Sequence, residues 1–283
     1  MEFIYLFFAV CFCSLQTINN KHFGYKENAG IFTFTSLVCF SAVPIFLIQT
    51  KSYAITLTVF AFALMFAALC FIADLFAVLA FKHGPVARTS LISSFSLLIP
   101  TIYGIIFLKE DIKLLMLIGT LCLLISLFLV NYTKSNEKIT SLWILFVVLS
   151  FFGNGLCSVV QRLEQLCCQG ELYSDIFMVV AFMLAGLFSL IAAFACEKKE
   201  KIFLTVRTSW HLAITKGLMM GLVNMLIIKL NTLLPASILF PVVAAGSLLI
   251  NWLLSFIVYR ERFTYKQTIG YIFGLVAVIL LNL

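Results

Sequence analysis

The sequence predicts an all-α integral membrane protein with ten transmembrane helices, arranged as two five-helix halves of which the second is inverted. Three observations predict it: an apolar composition, ten runs of about span length, and landmarks that recur about 150 residues apart. Hydrophobic residues make up 63% of the 283 and charged residues 11%, and Phe alone occurs 30 times. Soluble domains average about 45–50% apolar and about 25% charged residues. In water this surplus would leave large apolar patches exposed, so the fitting solvent is a lipid bilayer. The formal net charge of +7 then belongs to residues that flank spans, where they set orientation or meet anionic head groups. No basic stripe of the kind that binds nucleic acid is present.

A span needs about 20 apolar residues. Runs that meet this fall at 3–19, 30–49, 55–81, 86–108, 114–131, 141–166, 173–195, 210–231, 236–259 and 267–283. Backbone groups in hydrocarbon must bond within their own segment, so each run is expected to be a helix; the alternating signature of a membrane barrel is absent. The first run, MEFIYLFFAVCFCS, has no basic residue before it and no small-residue cleavage site after it, so it reads as a retained span rather than a signal peptide. Gly84-Pro85 closes the third run and opens the fourth with Pro in the first turn, where its missing N–H is not needed; Pro235 does the same for the ninth. The polar run KSNEK, 134–138, separates a first half, 1–133, from a second, 139–283. The longest polar connection expected is EKKEKIFLTVRT, 197–208.

The halves repeat. FFAVCFCS at 7–14 aligns with FFGNGLCS at 151–158, Asp74 falls 150 residues before Asn224 and Pro85 150 before Pro235, and Glu110 falls 151 before Glu261. Five spans per half is an odd number, so the second copy enters the membrane upside down, the arrangement of many secondary transporters. HGPVARTSLISSFSLLIPTIYGIIFLKEDIKLLMLIGT, 83–120, and LLPASILFPVVAAGSLLINWLLSFIVYRERFTYKQTIGY, 233–271, resemble the EamA family of the drug/metabolite transporter superfamily. The first window carries a Gly-Pro helix start, a small and polar helix, a second Pro (Pro100) about sixteen residues on, then Glu110 and a Gly, and the second window carries this pattern again. The second departs by lacking Gly before Pro235 and by placing Pro241 early. The resemblance implies a ten-helix transporter of inverted repeats around a central cavity, with both termini inside. Counting Lys and Arg by side gives the opposite orientation. Thirteen fall on the face of the 1–2, 3–4, 5–6, 7–8 and 9–10 loops and four on the other, which places both termini outside.

A charge near the bilayer centre costs about 2.5–3.5 kcal/mol on insertion scales, so each one present is a functional candidate with a partner to find. At about 1.5 Å per helical residue, Asp74 lies about 12 Å below the face that Lys82 marks, and Lys216 about 9 Å below the same face. The two are expected to pair, with Arg88 as an alternative partner, and Asp74 carries either a coupling proton, a substrate contact or a structural ion pair. Lys229, near the opposite face, is expected to snorkel, and His83 to be a satisfied interface residue. Gln16, Ser94, Tyr103, Asn154, Gln161, Asn224 and Asn251 supply amides and hydroxyls suited to a small polar or zwitterionic ligand. Gly84, Pro85, Glu110, Pro235 and Glu261 form a helix-end motif in which the two glutamates pair with neighbouring basic residues. The nine cysteines read as small hydrophobes, and neither a nucleotide loop nor a histidine metal cluster is present. No enzyme activity, metal or cofactor is therefore expected. The expected partners are membrane lipids, a small-molecule substrate and, as one option, protons. The expected function is alternating-access transport of an amino-acid-like metabolite across the cell membrane, in the export direction. Uptake of a vitamin or nucleobase is the alternative within that class. A sensor or scaffold is the alternative outside it, though a scaffold needs neither internal inversion nor buried charge.

Overall fold

The computed structural model describes residues 2–24, 29–83, 89, 92–93, 95–109, 114–131, 140–168, 170–257 and 265–281, and among these described residues ten helices follow one another. They are α1 (Glu2–Gly24), α2 (Ile31–Gln49), α3 (Leu57–His83), α4 (Leu98–Ile106), α5 (Leu114–Asn131), α6 (Ser141–Cys167), α7 (Gly170–Cys196), α8 (Lys199–Leu233), α9 (Ala236–Ile257) and α10 (Tyr265–Leu281). Each falls on one of the ten runs, and no strand occurs among the described residues. By length and composition, five helices among the described residues can cross a membrane: α2, α6 and α8 over their full lengths, α3 over Leu57–Ala80 and α7 over Leu172–Cys196.

The starts follow local chemistry. The Thr140 side chain accepts the Trp143 N–H and caps α6. The carbonyl of Pro235 accepts from Ile238 and Leu239 N–H at 3.1 and 3.0 Å and opens α9, as expected of a proline at a helix start. The expected polar connection 197–208 is corrected. Only Glu197 and Lys198 lie between α7 and α8, and the chain is helical from Lys199. That stretch holds no Gly or Pro to stop a helix, and its Thr205, like Ser209 just beyond it, turns inward and is buried. Its charge marks an exposed helix face rather than a loop. At about 1.5 Å per residue, the 35 residues of α8 are far longer than a hydrocarbon core about 30 Å thick.

The packing follows small residues and aromatic rings. α2 lies between α7 and α8, and α3 between α6 and α7; α1 packs on α8 and α9, α4 on α6 and α9, and α5 on α10. A core cluster joins α2, α3 and α7 through Phe34, Phe46, Phe66, Phe177 and Phe182. A second joins α1, α8 and α9 through Leu6, Leu230, Leu239 and Phe240. The outward faces carry large apolar side chains such as Ile48 and Leu57, each 85% exposed, as suits a surface that meets lipid.

Candidate functional site

The seam between α3 and α6 sets the rotation of α3. The Ser150 hydroxyl donates to the Ala73 carbonyl at 3.2 Å, and Gly153 lies against the Ala73 backbone. The next residue, Asp74, is about 100° further round the helix and points away from that seam. On α8, Gly217 sits directly on the Val38 carbonyl of α2, so that a Cβ there would strike it. This close approach carries the neighbouring Lys216 inward.

The two side chains meet. Lys216 Nζ is 3.3 Å from Asp74 Oδ1, with side-chain exposures of 3% and 18%. The ammonium also lies 5.7 Å from the ring centroid of buried Phe34, within range of a cation–π contact. One turn before Asp74, the Cys70 thiol reaches Asp74 Oδ2 at 3.9 Å. Cys39 of α2 completes a group with Cys70 and Asp74 whose ligand atoms all lie within 4.8 Å of one another. Cys157 of α6 is buried nearby and donates to the Phe66 carbonyl at 3.8 Å. Residues from α2, α3, α6 and α8 therefore surround one partly buried ion pair, its ammonium enclosed and its carboxylate partly open.

A polar seam runs between α6 and the later turns of α8. Gln161, 2% exposed, directs Nε2 to the Asn224 carbonyl at 3.5 Å, and Gln165 donates to the Ile228 carbonyl at 2.9 Å. The Arg162 guanidinium donates to the Asn231 carbonyl. The side chain of Asn224 returns to the Met220 carbonyl of its own helix at 2.9 Å. Asn154 donates to the Ser96 hydroxyl at 2.7 Å and ties α6 to the approach to α4.

The other expected site residues are placed apart from the pair or lie outside the described set. Gln16 is half-buried on α1, and Tyr103 is stacked on Phe107 at 5.0 Å between ring centroids. Lys229 is exposed, with Nζ 6.0 Å from the Tyr5 ring centroid, and His83 Nδ1 lies 2.9 Å from the Leu79 carbonyl. Gly84, Pro85, Arg88, Ser94, Glu110 and Glu261, and the side chain of Asn251, lie outside the described residues.

Two glutamates were not anticipated. Glu164 is fully buried near the end of α6, its Oε2 accepting from the Ser174 hydroxyl at 2.9 Å. Glu197 accepts from Phe32 N–H at 2.7 Å, Thr33 N–H at 3.3 Å and the Thr33 hydroxyl at 2.6 Å, and so closes the start of α2. Only its position beside the start of a helix marks Glu197 in the sequence, and Glu164 near the end of a span looks interfacial.

Three comparisons bear on this arrangement. Residues 1–132 match the EamA-like transporter family, part of the drug/metabolite transporter superfamily. A protein of known crystal structure superposes with a TM-score of 0.73 over 98% of this chain and 98% of its own, at 12% identity, which speaks to fold alone. No curated protein matches the sequence.

Proposed function

We propose, from the match of residues 1–132 to the EamA-like transporter family, that the chain is a secondary transporter of two inverted five-helix repeats that moves a small zwitterionic metabolite by alternating access. Packing supports the repeat. Adding five to each helix number converts α1–α8 contact into α6–α3, α2–α8 into α7–α3 and α1–α9 into α6–α4, and leaves α2–α7, α4–α9 and α5–α10 unchanged. Two copies related by a two-fold axis in the membrane plane would give these exchanges.

The observation that carries the transport reading is the partly buried Asp74–Lys216 pair, which joins the third helix of one half to the third of the other. Rocking one half against the other would pull this pair apart. Isolating two charges at low dielectric is costly, so the pair opens readily only when replacement partners arrive. A zwitterion provides both: its carboxylate meets Lys216 and its ammonium meets Asp74, with no change in net charge. A proton on Asp74 is the other neutralising partner, which gives a route to proton coupling. The amides of Gln161, Asn154 and Asn224 add donors and acceptors on α6 and α8.

The test is purified protein in liposomes, offered labelled amino acids, nucleobases and vitamins with and without a pH gradient. The reading expects movement of an amino-acid-like solute and its loss in Asp74→Asn, with that variant still inserted and folded. Full transport by Asp74→Asn, or no solute moved or bound by the wild-type protein, would overturn it.

A further inference from the structure

We propose that Cys39, Cys70 and Asp74 form a binding site for one soft divalent cation, of the zinc and cadmium class, at the junction of α2, α3 and α8. Their two sulfurs and one carboxylate oxygen lie within 4.8 Å of one another. Tetrahedral bonds of about 2.3 Å to zinc hold ligand atoms about 3.8 Å apart, so rotamer adjustments of well under a helix shift would close the set. Cys39 is fully buried and Cys70 is 3% exposed, and the Cys70 thiol is already directed at the Asp74 carboxylate.

The donor set selects the ion. Two thiols and a single carboxylate suit soft and borderline cations, whereas calcium and magnesium require more oxygen ligands. Charge selects the valence. The charged and titratable groups around the site are Lys216 from α8, Asp74 and Cys70 from α3, Cys39 from α2 and Cys157 from α6. With neutral thiols, the ammonium and carboxylate cancel. Binding M²⁺ breaks two S–H bonds, forms two M–S bonds and releases two protons, so the site is neutral before and after. A monovalent ion that displaced the same two protons would leave a net negative charge in a low-dielectric setting. Asp74 has two oxygens, so it can bridge the metal through Oδ2 and keep Lys216 on Oδ1.

This inference stands apart from the transport reading, since binding is read on the purified protein alone. Cadmium ion is titrated into the reduced full-length chain in detergent, and bound metal, the ultraviolet thiolate-to-cadmium absorption and released protons are measured. The expected result is one cadmium and two protons per chain at this site. That absorption is lost in Cys39→Ser and in Cys70→Ser. In Asp74→Asn affinity falls on the order of tenfold or more, since losing even an outer-shell partner of a metal ligand costs that much. The double variant Cys167→Ser/Cys168→Ser, which removes the adjacent pair elsewhere, retains it. If a serine variant fails to fold, Cys39→Ala and Cys70→Ala serve in its place, with folding checked by gel filtration. Unchanged cadmium absorption and stoichiometry in the folded Cys39 and Cys70 variants, or no cadmium bound by the wild-type protein, would overturn the site.

Discussion

At the scale of single residues, the Asp74–Lys216 pair sets two opposing expectations that a mutant cycle separates. Removing one partner of a buried pair leaves an uncompensated charge and typically costs about 3–5 kcal/mol, whereas replacing both by uncharged groups is often neutral or stabilising. Lys216→Met is therefore expected to lower the melting temperature clearly, because Asp74 is then left against buried thiols. Lys216→Met/Asp74→Asn is expected to recover most of that loss while remaining inactive in liposomes. Equal melting temperatures for Lys216→Met and wild type would mean that the pair is solvated and contributes little. The pairing itself was legible from sequence, because a charge deep in an apolar run has few places to go and helix rise fixes its depth. The thiol group beside it was not. Cys39, Cys70 and Cys157 stand in apolar runs where cysteine is chemically indistinguishable from a small hydrophobe, and their convergence depends on how α2, α3 and α6 are rotated.

At the scale of elements, α2 illustrates a helix completed from a distant part of the chain. Its N-cap is Gly30, which has no side chain to offer, yet the first turn of any helix leaves N–H groups without intrahelical partners. Glu197 and Thr205 supply them: the carboxylate takes Phe32 and Thr33, and the Thr205 hydroxyl takes Gly30 N–H at 2.6 Å. The negative charge also complements the positive end of the helix dipole. Glu197→Ala is expected to destabilise the protein by about 1–2 kcal/mol, the usual range for a lost cap, seen as a lower thermal midpoint in detergent. Glu197→Gln should lose less, since an amide oxygen still accepts a bond. Gly30→Ala is expected to destabilise as well, because a Cβ at Gly30 would push the Glu197 carboxylate away from Phe32 and Thr33 and so break the cap. A wild-type midpoint in both Glu197→Ala and Gly30→Ala would show that water caps α2 equally well. None of this was visible beforehand. Hydropathy separates apolar from polar segments, but the polar run from Lys199 is a solvated helix face, and hydropathy does not distinguish that from a loop.

At the scale of the whole molecule, the open matter is how many helices cross the bilayer, and connectivity allows a decision. Length and composition admit five among the described residues, and α4 is described only over Leu98–Ile106. The contact between Glu197, after α7, and Phe32, at the start of α2, requires an even number of crossings from α2 through α7. Six crossings satisfy this, but so do four, with α4 and α5 both lying outside the count. Parity at the far end of α4 separates the two. Exposed Lys109 follows α4, where the chain leaves the helix through a left-handed residue with φ 51°. If α4 crosses, Lys109 shares a face with Lys51, which follows α2, and opposes Lys198. If it does not, Lys109 shares the face of Lys198. Single cysteines at Lys51, Lys109 and Lys198, in a chain with exposed Cys167 and Cys196 changed to serine, are to be labelled with a membrane-impermeant maleimide from each side in turn. The ten-helix inverted arrangement expects Lys51 and Lys109 to react from one side and Lys198 from the other. Joint labelling of Lys109 and Lys198 would remove α4 and α5 from the membrane, and with them the inverted repeat. The side on which Lys198 reacts also decides between the two orientations. The basic residues crowd its face of the membrane, so reaction from the cytoplasmic side would uphold the charge rule.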